Sequence, residues 1–158
     1  MEDYVRHTLQ DLKTLTRGLA APNHPLSHAA GEWKADLTQR LAAANVQLGW
    51  NLTFDRDISL TVVQWSGLTR VMRELVTNAI AHADATQVDI DFHFANDHLD
   101  LSVSDNGHGR NPQAWAHGLG LGGVRKRVKQ LGGEVEWREV VPFGIRCLVV
   151  IPRLSERR

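Results

Sequence analysis

The sequence predicts a two-layer α+β sandwich in which helices cover one face of a mixed sheet, and three observations carry that expectation. The segment GLTRVMRELVTNAIAHA (67–83) sets Leu68, Val71, Met72, Leu75, Val76, Ala79, Ile80 and Ala83 at i, i+3, i+4, i+7 spacing, the pattern of a helix with one apolar face. VDIDFHF (88–94) and LDLSVSD (99–105) alternate apolar with polar residues, as strands with one wet face do. Helices and a strand precede the long helix, and strands broken by one further helix follow it.

Taken in order, residues 3–19 read as a helix with Val5, Leu9, Leu12 and Leu19 in steps of four and three, Thr16 filling the remaining slot. Two heptads leave open whether that seam meets a partner or packs on its own domain. AAPNHP breaks it through Pro22 and Pro25. A helix over 26–44 carries Leu26, Ala30, Trp33, Leu37 and Leu41 on one side, and VQLGWNLTF (46–54) reads as a strand. Asn96 and Asp97 join the two alternating strands as a hairpin. GVRKRVKQL (123–131) is a helix capped by Gly132 and Gly133. The strands EVEWREV and IRCLVVI close the fold at Pro152, and RLSERR is a frayed tail.

Composition excludes several function classes. With 158 residues, one domain suffices. Eighteen basic and eighteen acidic residues cancel, so no global field draws in nucleic acid or an anionic membrane, and no nucleic-acid partner is expected. The single cysteine, Cys147, sits in an apolar run and reads as a buried, inert thiol; a disulfide framework is excluded, as in a reducing compartment. The start lacks the apolar core of a signal peptide, and no stretch approaches the roughly 20 apolar residues of a membrane span, so a cytoplasmic location is expected. His24, His28, His93, His98, His108 and His117 are scattered without metal-ligand spacing.

Three stretches carry chemistry. On the long helix Glu74, Asn78 and His82 stand at i, i+4, i+8, a polar stripe beside the apolar one. By itself this fits either a solvated face with an Arg70–Glu74 pair or a site that needs the asparagine carbonyl. Asp105 shares the parity of Leu99, Leu101 and Val103, so it points toward the buried face at the strand's end, where a carboxylate needs a donor. Gly107 and Gly109 then let a flat ligand lie close to the main chain. RNPQAWAH, with Pro112, offers no return strand, so the loop is long, as functional loops are. Gly118, Gly120, Gly122 and Gly123 lead into a helix start, whose N–H groups and dipole suit phosphate, with Arg125 and Lys126 adding charge.

In that order, ELVTNAIAHA, DNGHG and GLGLGGVRKRV resemble the N box and two glycine boxes of the ATP-binding fold shared by gyrase-type ATPases, the heat-shock chaperone of that class, histidine kinases and mismatch-repair proteins. The likeness covers about residues 45–152, and NAIAHA, the short lid and GLGLGGVRKRVKQLGGEVEW look most like sensor histidine kinases of the nitrate-sensor and desaturase-sensor type. The resemblance implies the mostly antiparallel sheet of that fold, with ATP and Mg2+ as cofactors. By it, Asp105 would accept from the adenine amino group, Asn78 would hold Mg2+ among phosphate oxygens, and Glu74 would orient metal-bound water or act as a base. His82 and Ala83 would lie near the triphosphate. Gly107 and Gly109 would floor the base pocket. Gly118, Leu119, Gly120, Leu121, Gly122, Val124 and Arg125 would form the lid hinge and phosphate cradle. Trp115, in the short lid, would either pack on the nucleotide or anchor the loop, the latter being the favoured reading.

Residues 1–22 look like the end of a dimerisation helix, 23–44 like a helix leading into the domain, 45–152 like the ATP-binding domain and 153–158 like a tail. The implied partners are the dimerisation and phosphoacceptor helices of the same kinase, as a homodimer, and a response regulator. In the full-length protein an inner-membrane anchor is compatible with this. The chain departs from the family in having Ile145 after Gly144 where Gly-Thr is common, and in lacking the phosphoacceptor helix. An anti-sigma-factor serine kinase of the same fold and a non-catalytic interaction module are the rival readings.

Overall fold

A computed structural model describes residues 24–82, 84–108 and 121–154. The helix read over 3–19, most of the lid with Trp115, and the end of the tail lie outside them. Among the described residues, seven strands and three helices run in the order β1 (His24–Pro25), α1 (Leu26–Ala43), β2 (Gln47–Phe54), β3 (Ser59–Leu60), α2 (Val62–His82), β4 (Gln87–Ala95), β5 (His98–Asp105), α3 (Leu121–Gln130), β6 (Glu134–Glu139) and β7 (Ile145–Ile151). The main sheet has the order β2-β4-β5-β7-β6, with β2 parallel to β4 and every other neighbour antiparallel. The mixed, mostly antiparallel sheet is therefore as expected.

The alternation in β4 and β5 delivers the layer. Val88, Ile90, Phe92, Phe94, Leu99, Leu101 and Val103 are buried, while Asp89, Asp91, His93 and Asp100 are exposed on the opposite face. The covered face meets Leu26, Trp33, Leu37 and Leu41 of α1 and the apolar stripe of α2 in one core. Between β4 and β5, Asn96 and Asp97 adopt φ of 53° and 63°, the left-handed pair that a two-residue hairpin demands.

The sequence pattern misplaces two features. Helix α2 begins at Val62, five residues before the periodic run, because Thr61 and Gln64 form a capping box. The Gln64 amide donates to Thr61 Oγ1 (3.1 Å) and the Thr61 amide to Gln64 Oε1 (2.9 Å). The second is a small antiparallel pair, β1 with β3, of two residues each, too short for any alternation to announce it.

Helices α1 and α2 are joined inside the core by a polar relay. Trp33 Nε1 donates to Thr69 Oγ1 (2.8 Å), which donates to the Trp65 carbonyl (2.6 Å). Replacing Thr69 by valine keeps the shape but strands a buried indole N–H. Thr69→Val is expected to destabilise the domain by about 1–3 kcal/mol, read as a lower denaturant midpoint at constant slope.

Candidate nucleotide site

The site is assembled where α2 crosses the end of β5. One turn apart on α2, Glu74 and Asn78 share a flank, and the neighbouring Leu75 and Ala79 are buried in the core. Asn78 is only 8 % exposed, and its Nδ2 has no hydrogen-bond partner among the described residues; neither has Glu74 Oε2. At Glu74 and Asn78 the stripe is therefore not a solvated face. Two buried polar atoms with no partner among the described residues are what a ligand-facing wall leaves behind.

Asp105 ends β5 opposite the fully buried Val88, so its side chain takes the inward parity. It shares a recess with Asn78, walled by Val103, Trp137 and Ile145. Burial pushes the Asp105 carboxyl above its ordinary range, opposed by the backbone amides of Gly107 and Ile145; Gly107 N–H donates to Oδ1 at 2.9 Å. The next residue fixes the strand end. Asn106 Oδ1 accepts from the Thr86 and Gln87 amides (3.0 Å each) and its Nδ2 donates to Thr86 Oγ1 (2.9 Å).

Gly144 sets how closely β7 approaches this point. Its φ is +123°, and a Cβ placed there would stand 2.2 Å from the Asp105 carbonyl oxygen. Gly144→Ala therefore strains the backbone and pushes on the carboxylate's own residue. It is expected to destabilise the domain by about 3 kcal/mol and to weaken nucleotide binding, checked by a denaturant melt and a titration of the folded fraction.

Glu74 is paired across the helices. Arg127 Nη1 of α3 donates to Glu74 Oε1 at 2.6 Å. Arg70, the i−4 neighbour expected from the sequence as its partner, adds only a weaker attraction. Burial raises the Glu74 pKa, and Arg127 is the leading influence that lowers it. Arg125 is exposed and stands 5.1 Å over the ring of Trp137, a residue that lines the recess. The side chain of Val124 is fully buried in the core, which leaves its backbone as the part that a ligand could meet.

His82 is the last residue of α2, and Leu121 and Gly122 open α3. Gly107 is buried beside Asp105. Ala83, Gly109, Gly118, Leu119 and Gly120 lie outside the described residues. Sequence reasoning missed Arg127 and Trp137: Arg127 reaches Glu74 through the packing of α3 on α2, Trp137 reaches the recess through the pairing of β6 with β7, and neither carries a local signal.

The donor set fits a nucleotide with a hard cation. A half-buried carboxylate lining a recess with apolar walls suits a base that donates. Glu74 Oε2, without a partner among the described residues, is the kind of oxygen magnesium prefers, and the side chain of Asn78 carries an amide oxygen of the same kind. The first turn of α3 carries the N–H groups for which a helix has no partner of its own, the kind that hold phosphate.

Comparison with known proteins agrees. Residues 64–155 match the family model described as histidine kinase-, DNA gyrase B-, and HSP90-like ATPase. The chain is 25 % identical over 156 residues to the sensor histidine kinase LiaS of Bacillus subtilis, covering 98 % of this chain and 43 % of that protein. It is 34 % identical over 86 residues to the histidine-protein kinase/phosphatase UhpB of Salmonella typhimurium, covering 54 % and 17 %. Among solved structures, the blue-light activated histidine kinase of Erythrobacter litoralis superposes with a TM-score of 0.72 at 21 % identity, over 98 % of this chain and 56 % of that one. The chain spans less than half the length of the curated relatives it matches.

Proposed function

Because the chain belongs to the family of histidine kinase-, DNA gyrase B- and HSP90-like ATPases, we propose that it is the Mg-ATP-binding catalytic domain of a sensor histidine kinase. In this reading it donates the γ-phosphoryl group to a histidine on a separate dimerisation domain. The observation that carries it is the pairing, in one recess, of the inward Asp105 carboxylate with the buried Asn78 side chain, whose Nδ2 has no partner among the described residues.

Asp105 accepts from the exocyclic amine of adenine, an interaction favoured by the ionised carboxylate that two backbone amides already support. Gly107, without a side chain, lets the base approach the main chain. The Asn78 carbonyl and the open oxygen of Glu74 hold magnesium, which neutralises charge on the phosphates when bound. N–H groups at the start of α3, together with Arg125, take the remaining phosphate charge. Glu74 accepts the proton or orients water at the acceptor. Residues 1–22 supply the end of a dimerisation helix, and a response regulator receives the phosphoryl group afterwards. In-line geometry is provided by docking on the dimerisation helices, so the domain alone binds ATP and turns it over slowly.

Titrating ATP with and without Mg2+, then assaying phosphohistidine after mixing with a dimerisation domain, tests this. Phosphohistidine on the added helix supports it. A serine acceptor labelled in its place favours the anti-sigma-factor kinase, and no binding at millimolar ATP favours a module that has lost its nucleotide.

A further inference from the structure

We propose, resting on the nucleotide-binding reading above, that Trp137 is the yielding wall of the recess and the residue that sets its preference for a two-ring over a one-ring base. Asp105 and Trp137 line the recess from β5 and β6, the strands on either side of β7. A base held by its amine at Asp105 meets the indole with its far ring.

The strand register sets the width. Val103, Cys147 and Trp137 are direct cross-strand partners on β5, β7 and β6, and all three line the recess as one row of its sheet wall. Asp105 stands two residues beyond Val103, and Leu75, Asn78 and Ala79 of α2 form the facing wall. Strands β5 and β6 lie two strand spacings apart, about 9–10 Å. A fused two-ring base anchored at Asp105 reaches across that width toward Trp137, and a single ring stops short of it.

Trp137 is also the wall that can move. The recess encloses about 20 Å³, room for about one water and far below the roughly 300 Å³ at which small-molecule pockets begin. A base therefore enters only as a wall shifts. Leu75, Asn78, Ala79, Val103, Ile145 and Cys147 are buried, and displacing them would open the core. Trp137 is half-buried, and its strand β6 is an edge with β7 as its sheet neighbour. Its indole can turn toward solvent while the packed layers stay closed.

Arg125 orients the indole without locking it. The guanidinium lies over one face of the Trp137 ring, 5.1 Å from its centroid, and Arg125 is exposed, where such a contact is weak. With that face covered, the rest of the ring is what the recess meets.

ATP and CTP separate the two halves of the site. Each carries an exocyclic amine for Asp105 and the same triphosphate, so base size is the main difference between them. Both affinities are measured with Mg2+ for the parent chain, Trp137→Ala and Trp137→Phe. The parent is expected to prefer ATP, Trp137→Ala to lose about fivefold or more of that preference, and Trp137→Phe to keep most of it. A mere loss of stability would lower both affinities together and leave their ratio alone. Fluorine NMR of the fluorotryptophan-labelled chain, with the Trp137 signal assigned by its loss in Trp137→Phe, follows the wall itself. ATP is expected to shift that signal further than CTP does. A parent that binds the two alike, an unchanged ratio in folded Trp137→Ala, or a Trp137 signal unmoved by saturating ATP overturns the proposal and leaves the nucleotide reading standing. If the parent binds neither nucleotide, that reading falls and the role of Trp137 falls with it.

Discussion

Asn78→Ala is expected to abolish the magnesium-dependent part of ATP binding and to slow phosphoryl transfer by about a hundredfold or more. The reason is positional: catalysis of this kind rests on placing charge rather than on forming covalent intermediates. Asn78 supplies a side-chain carbonyl oxygen at the recess, and among the described residues that line it no other amide side chain duplicates that oxygen. The same change should leave the fold nearly intact. Its Nδ2 bonds to none of the described residues, so truncation relieves an unpaired buried amide while opening a small void. Titrating ATP against the variant with magnesium and with EDTA reads the effect. Undiminished magnesium dependence, or transfer at the parent rate, would remove Asn78 from the metal's coordination.

Asp105→Asn is the second large effect, and its sign differs between stability and affinity. In the ligand-free domain burial raises the carboxyl's pKa above that of an unfolded chain. A raised acid contributes stability in its protonated form at low pH, and that contribution is lost as pH rises through the folded-state value. At neutral pH the ionised group is a liability to the empty fold. Asparagine removes the charge and still offers an oxygen to the Gly107 amide, so the melting temperature should hold or rise. Affinity moves the other way. Losing a charge-assisted bond to the adenine amine is expected to weaken ATP binding about tenfold to a hundredfold. By the same linkage, ATP binding to the parent weakens as pH falls through the Asp105 pKa. Paired calorimetric titration and thermal melts test both halves; unchanged affinity in the folded variant would exclude Asp105 as the base acceptor.

The strands and the long helix are legible in the sequence because period two and period 3.6 are written in neighbouring residues. The inward turn of Asp105 follows from the same logic, since parity counted along β5 from Leu99 is enough to assign its face. Tertiary partners are not legible in this way. An Arg127–Glu74 pair spans 53 residues, and an i,i+4 rule applied to Glu74 suggests Arg70 instead. In the sequence Trp137 is only one residue of a strand; that it lines the recess and carries Arg125 over its ring depends on tertiary packing. Gly144 draws notice in the sequence for the residue that follows it; its importance lies in the carbonyl of Asp105, which no sequence pattern places beside it.

The outer strand β6 has a bearing on self-association. Four of its six residues are charged, Glu134, Glu136, Arg138 and Glu139, all on the exposed side or rim of the sheet. A second molecule adding a strand there would have to dehydrate that row, so open-ended stacking of sheets into fibres is discouraged at this border.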